Sequence, residues 1–283
     1  MLLKIDGLKK NYKDFSLDCS MQVKKRSVTG VIGANGAGKT TTFKAILGLI
    51  HPEGGTIELL GKDLSEITKE DKMQIGTVLA EIGFSTQLKV KDIVGIMKAM
   101  YPKFDAERFL KKCEHYKIPQ DKLLKDFSTG TRAKLRVLVA MSYDARLLIL
   151  DEPTVGLDYM TRNEIIDEMR DFMENEEKGI LISSHISSDL EGICDDLYFL
   201  HNGKIKLHED TDKILSDYGV LKVSKEQQEM MDKKYVLYEI QTDYGFELLT
   251  NEKQYYADNY PDCVIEKGSV DQVIRFITKG VAV

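Results

Sequence analysis

The chain has 283 residues, of which 42% are hydrophobic, room for one large domain or one domain with a small appendage and for a sizeable core. Acidic residues outnumber basic ones, 46 to 40, giving a formal net charge of -6. That balance argues against a protein that wraps duplex nucleic acid by charge alone, though it does not exclude a local basic patch.

The opening residues, Met1 to Lys10, carry charge too early for a signal-peptide core. Leu2 to Ile5 and Phe15 to Met21 alternate as half-buried strands do, and Ser27 to Ile32 is a β-branched run suited to a strand buried on both faces. A glycine-rich loop follows, then Phe43, Ile46, Leu47 and Ile50 at helical spacing, which predicts a helix over Thr40 to Ile50. Residues 51–82 return to short strands and turns. From Val90 to about Met141 the pattern is helical, with Ile93, Ile96, Met97 and Met100 as one stripe and Phe109, Leu110 and Cys113 as another.

Leu147 to Leu150 and Gly179 to Ile182 are two further apolar runs, with a helix predicted between them over about 160–175. This is the βαβ rhythm of a parallel sheet. Asn202-Gly203 supplies the positive φ angles of a tight hairpin within Tyr198 to Lys206. Beyond about Val220 the composition shifts to Lys, Glu, Tyr and Asp, with strand-like (Tyr235 to Leu249) and helix-like (Ser269 to Lys279) pieces that predict a small folded appendage. No stretch approaches the ~18 uninterrupted apolar residues of a membrane span. Cys19, Cys113, Cys194 and Cys263 lie scattered, without a CxxC pair, as small buried side chains in a reducing cytosol would.

Two motifs carry chemistry. Gly33-Ala34-Asn35-Gly36-Ala37-Gly38-Lys39-Thr40 matches G-x-x-x-x-G-K-[ST] between a strand and a helix. Its glycines let successive backbone N–H groups converge on phosphate oxygens, and the helix aims its positive end at the same anion. Lys39 then reaches the β- and γ-phosphates and the Thr40 hydroxyl binds Mg²⁺. The second motif is Leu147-Leu148-Ile149-Leu150-Asp151-Glu152, an apolar strand ending in two carboxylates at a sheet's carboxyl edge. Asp151 is suited to hold the metal, and Glu152 to orient or deprotonate an attacking water.

With these residues in view, the chain resembles the ATP-binding subunit of an ABC transporter. Asp151-Glu152-Pro153-Thr154-Val155-Gly156-Leu157-Asp158 is close to that family's joined Walker B and D-loop sequence, and Ser183-Ser184-His185 follows the next strand, where the family keeps its switch histidine. Tyr12 stands where an aromatic stacks on adenine, and Phe127-Ser128-Thr129-Gly130-Thr131 where the signature motif lies. The resemblance covers about residues 1–220. It implies an α/β fold: a P-loop NTPase core with a mixed, mainly parallel sheet, an N-terminal antiparallel β subdomain and a helical signature subdomain over about 82–142. Residues 221–283 would then form a small α/β accessory region.

The resemblance further implies ATP and Mg²⁺ as ligands, with Gly33, Asn35, Gly36, Ala37, Gly38, Lys39, Thr40 and Thr41 around the phosphates and Tyr12 on the base. Glu152, His185 and Lys39 would serve hydrolysis. Ser128, Gly130 and Asp158 would complete the site of a second ATP-binding subunit, identical or paralogous. Separate transmembrane permease subunits, a cytoplasmic place on the inner face of the membrane and no nucleic-acid partner follow in the same way, and a single cassette of this length most resembles bacterial exporters of the ABC-2 type. Two departures stand out: Thr129 and Thr131 replace the usual glycine and glutamine of the signature, and Ala80-Glu81 replaces the Q-loop glutamine, making Glu81 a substitute ligand for metal or water. A soluble ABC-type ATPase acting on nucleic acid or ribosomes, or a binding-only degenerate subunit, remains open at this point.

Overall fold

A computed structural model describes residues 1–79 and 83–283. The first strands are β1 (Leu3–Asn11), β2 (Ser16–Val23) and β3 (Ser27–Ile32), followed by helix α1 (Lys39–Ile46). The helix stops four residues short of the predicted Ile50. Gly48 takes φ 68, and the Gly48 and Leu49 N–H groups turn back to Ala45 O and Lys44 O, closing the C-terminus. Strands β4 (Gly54–Leu59) and β5 (Lys62–Asp63), the short α2 (Lys69–Lys72) and β6 (Ile75–Val78) come next. The helical stretch resolves into α3 (Val90–Met100), α4 (Ala106–His115) and α5 (Thr129–Met141). Then come β7 (Leu147–Asp151), α6 (Tyr159–Met173), β8 (Gly179–Ser184), α7 (Ser187–Glu191), β9 (Asp196–His201), β10 (Lys204–Asp210) and α8 (Thr211–Asp217).

These strands form one sheet in the order β5-β4-β1-β2-β10-β9-β3-β8-β7-β6. Strands β9, β3, β8, β7 and β6 pair in parallel, and β1, β2, β4 and β5 antiparallel. A single parallel register, Lys204 with Asp18, joins the two regions, so the antiparallel subdomain is continuous with the core sheet. Asn202 and Gly203 have φ 48 and 74 and close the β9–β10 hairpin as their sequence demands.

Alternation divides the core in two. Leu147, Ile149 and Leu181 face Phe43, Ala45 and Ile46 of α1, whereas Leu148, Leu150, Ile180 and Ile182 face the side chains of α5 and α6. Both faces are covered, which is why β7 and β8 are buried throughout and Leu147 to Leu150 and Gly179 to Ile182 read as unbroken apolar runs. Each such side chain contributes about 1.5–3 kcal/mol of burial.

The remaining chain builds a second sheet from β11 (Gly219–Val223), β12 (Val236–Thr242), β13 (Gly245–Thr250), β14 (Val264–Lys267) and β15 (Val281–Ala282), ordered β14-β11-β13-β12-β15. Helices α9 (Lys225–Met230), α10 (Lys253–Asn259) and α11 (Val270–Lys279) accompany it. The piece expected as strand-like over Tyr235 to Leu249 is a hairpin of two strands turning at Asp243 and Tyr244. One face of this sheet offers Val220 and Leu249 to the same core as Val270, Val273 and Phe276 of α11; Leu221, Val223 and Leu248 pack on Met231 and Tyr256 on the other. Three of the cysteines are buried as expected, and Cys263 is partly exposed.

Candidate active site

The carboxyl ends of β3, β7 and β8 lie side by side, with Asp151 in register with Ser183 and Ile32 with Ser184. Three loops therefore leave the sheet together, as ligand sites of open α/β sheets require. The loop after β3 is Gly33 to Gly38. Gly36 (φ 81) and Gly38 (φ 115) take left-handed backbone angles, and a Cβ at Gly33 would lie 2.3 Å from Leu200 O, so a side chain there is barred by backbone. Asn35 and Gly36 are exposed at the tip, Ala37 and Gly38 are buried, and Thr41 is half-buried in the first turn of α1.

Lys39 is 5% exposed, and its Nζ donates to Gly33 O at 2.6 Å and Ala34 O at 3.3 Å. The same ammonium faces Glu152 Oε1 at 3.0 Å. That oxygen is buried and makes no hydrogen bond, so the ion pair with Lys39 is what offsets its charge. Glu152 Oε2 lies 2.9 Å from His185 Nδ1. Its backbone has φ 51, and its N–H donates to Ser183 O (3.2 Å) and Ser183 Oγ (3.1 Å). Ser183 Oγ in turn donates to Asp151 Oδ1 at 2.6 Å. Sequence reasoning did not single out Ser183; its position two residues before His185 on the strand next to Asp151 is the signal that points to it.

Thr40 Oγ1 donates to Asp151 Oδ2 at 2.7 Å, and Asp151 is 1% exposed. A hydroxyl and a carboxylate side by side at a phosphate loop suit Mg²⁺, which takes hard oxygens from one or two protein groups and completes its shell with water and phosphate. Glu81 lies outside the described residues.

Tyr12 is half-exposed beyond β1, with its ring centroid 6.3 Å from that of Phe15. A Cβ at Gly38 would meet Phe15 Cζ at 2.9 Å, so the Tyr12–Phe15 turn overhangs the phosphate loop. Ser128 caps α5 by accepting from Thr131 N at 3.1 Å, and that helix has no acidic residue in its first turn. Gly130 lies against Thr161 of α6, within 3.2 Å for a Cβ. Asp158 caps α6, accepting from Thr161 N (3.0 Å) and Thr161 Oγ1 (2.8 Å), and these bonds hold its carboxyl below the usual carboxylate range. The fold thus brings Lys39, Thr40, Asp151, Glu152 and His185 together. Ser128, Gly130 and Asp158 form a second cluster at the N-termini of α5 and α6.

The sequence profile of the family described as ABC transporter matches residues 17–155. The bacitracin transport ATP-binding protein BcrA of Bacillus licheniformis is 33% identical over 213 residues, covering 72% of this chain and 68% of that one. The lipopolysaccharide export system ATP-binding protein LptB of Haemophilus influenzae is 28% identical, covering 78% and 96%. Among solved structures, an ATP-binding subunit of an ABC transporter superposes with a TM-score of 0.67 at 27% identity, covering 76% of this chain and 92% of its own.

Proposed function

The chain belongs to the ATP-binding proteins of ABC transporters, and from that premise we propose how its residues hydrolyse ATP and what the hydrolysis drives. It is an ATP-binding, ATP-hydrolysing subunit of such a transporter. The observation that carries the residue assignment is the convergence of Lys39, Glu152 and His185 at the ends of three adjacent strands, through contacts of 3.0 and 2.9 Å. In the free chain Lys39 neutralises Glu152. When ATP enters, Gly33, Asn35, Gly36, Ala37, Gly38 and Thr41 hold its phosphates through backbone N–H groups and the positive end of α1, and Tyr12 stacks on the base. Lys39 turns to the β- and γ-phosphates, which frees Glu152 to accept a proton from the attacking water. His185 holds that carboxylate and reaches the γ-phosphate. Thr40 and Asp151 hold Mg²⁺, which supplies charge neutralisation at the phosphates when bound.

One chain carries one phosphate loop and one Ser128–Gly130 helix terminus, and the two clusters are separate within it. Ser128, Gly130 and Asp158 accordingly complete the site of a second ATP-binding subunit, a copy of this chain or a paralogue. In this reading separate permease subunits carry the membrane path; among the described residues no helix is long and apolar enough to cross a membrane. An apolar groove of about 450 Å³ between α1, α3 and β6, with Leu49 and Met100 exposed at its rim, is the docking surface proposed for them. This puts the chain at the inner face of the membrane. Export is the direction favoured, because the relatives include an ATP-binding protein of an export system and the single cassette resembles ABC-2-type exporters. The same reading divides the chain into an ATPase unit over residues 1–220 and an accessory unit over 221–283, close to Gly219, where the second sheet begins.

The test is steady-state phosphate release by the purified chain and by Glu152→Gln, with light scattering in ATP and Mg²⁺. Wild type turns over; the variant loses turnover by at least about a hundredfold and accumulates as a dimer. A variant that still turns over ATP overturns the assignment of Glu152. Absence of turnover in the wild type, alone and with its permease, would leave a binding-only subunit. A variant that stays monomeric argues for a paralogous partner.

A further inference from the structure

Helix α7 follows His185 at once and has only five residues, and its N-cap, Ile186, makes no side-chain capping bond. A helix this short does not hold itself in place. Its anchors include Leu190 in the core, Glu191, whose Oε1 accepts from Val270 N at 3.0 Å, and Asp189, a carboxylate 1% exposed. Asp189 Oδ2 accepts from Thr154 Oγ1 at 2.5 Å, and Oδ1 lies 2.9 Å from Nη1 of Arg162. Each partner sits just past a residue of the proposed site: Thr154 two residues after Glu152, Arg162 four residues after Asp158. One buried carboxylate therefore ties together the His185 loop, the Glu152 segment and the helix that Asp158 caps.

A buried ion pair is a poor source of stability, since desolvation consumes most of its attraction and a well-packed apolar pair does as well. What it supplies is a fixed geometry. Glu152 needs that fixing, because its φ of 51 is a left-handed conformation that a glutamate keeps only when its surroundings impose it. Ser183 holds the N–H of Glu152 from one side. The Thr154–Asp189 bond is the next polar anchor downstream, and Thr154 is itself 1% exposed.

We propose that Asp189 is a positioning residue for ATP hydrolysis: with Thr154 and Arg162 it sets where Glu152 and His185 stand relative to each other and to the Asp158 helix, and so governs turnover rather than nucleotide affinity. This deepens the assignment of Glu152 and His185 made above and rests on it. Asp189 is buried and its carboxyl oxygens face Thr154 and Arg162, so it acts through the segments it joins. A small displacement of reacting groups is enough to cost an order of magnitude or more in rate.

The experiment measures phosphate release and, separately, binding of a mant-labelled ATP, for the full-length chain and four variants. Asp189→Asn is expected to lower kcat about tenfold or more while the dissociation constant of the labelled ATP stays within about twofold. Thr154→Val, which keeps the volume and removes one hydroxyl, is expected to do the same to a lesser degree, and Thr154→Ser to restore the rate. If Asp189→Asn does not fold, Thr154→Val against Thr154→Ser decides alone. Normal kcat in both Asp189→Asn and Thr154→Val overturns the proposal, as does a fall in affinity equal to the fall in rate, or failure of serine to rescue. Glu152→Gln, run alongside, separates the two levels. If it retains turnover, the reading of the site fails. If it is inactive while Asp189→Asn and Thr154→Val are normal, only the positioning role fails.

Discussion

Two Gly→Ala substitutions, chemically the same, should change stability in opposite directions. Gly76 lies in β6 beneath the C-terminal end of α5, and a Cβ built there falls 2.4 Å from Ala140 O and 2.4 Å from Leu148 Cδ2. Contacts of Cβ below 3.0 Å essentially do not occur, and here one neighbour is backbone, so α5 and β6 must part by roughly 1 Å. Forcing that shift into a packed core costs about 2–3 kcal/mol. With an unfolding entropy of about 2.1 cal/mol/K per residue, 283 residues give roughly 0.6 kcal/mol/K, so Gly76→Ala is expected to lower Tm by about 3–5 °C. Gly95 lies mid-helix on the exposed side of α3 with nothing within 4 Å of its added Cβ. There alanine gains helix propensity, about 0.5–1 kcal/mol, and Tm should rise by about 1–2 °C. Differential scanning calorimetry of the two variants against wild type reads both values. Equal shifts, or a Gly76→Ala protein within about 1 °C of wild type, would refute the claim that α5 rests on β6 by backbone contact.

Two more predictions concern the surface and pH. Leu49→Asp combined with Met100→Asp, both at exposed rim positions, should leave ATP turnover of the isolated chain unchanged and abolish its recovery with detergent-solubilised permease from native membranes; undiminished co-purification would exclude the groove as the docking surface. Asp71 is held by Lys62 first, through bonds of 2.8 and 2.9 Å, and then by Thr68, which pulls its carboxyl from 3.8 down to about 2. Its folded-state pKa is depressed, so its contribution is complete above about pH 5 and is lost as pH falls through about 2. The Tm gap between wild type and Asp71→Asn should therefore be constant near neutrality and shrink as pH falls from about 4 through 2, and a gap undiminished at pH 2 would contradict the assignment.

The parts of the fold that local chemistry dictates were legible in the residues. An apolar run buried on both faces admits little but a central parallel strand, so β3, β7 and β8 could be placed within a residue or two. The glycine loop and the Asn202-Gly203 turn each rest on backbone requirements that few residues meet, and each stands where the sequence put it. The end of α1 was misplaced because the apolar spacing continues through Leu47 and Ile50, while the positive φ of Gly48 overrides it. In the second sheet β12 fully buries only Val236 of its seven residues, and β13 buries three in succession, which leaves little alternation to read.

By itself, the sequence determined the order of the chemical groups: a phosphate loop, two carboxylates closing an apolar strand, a histidine closing the next. Those features depend on residue type and on neighbours within a few positions. Only the tertiary structure decided what those groups touch. That Lys39 is paired with Glu152, that Ser183 supports both Asp151 and Glu152, and that Asp189 joins Thr154 to Arg162 are contacts between residues 27 to 113 positions apart in the chain. Such pairings follow from strand order and helix packing, which bring distant segments within hydrogen-bonding distance through the burial of apolar faces elsewhere. No local pattern around Asp189 distinguishes it from a solvated acid at a helix end; its burial, imposed by the sheet beneath and the helices around it, is what turns it into a bridge.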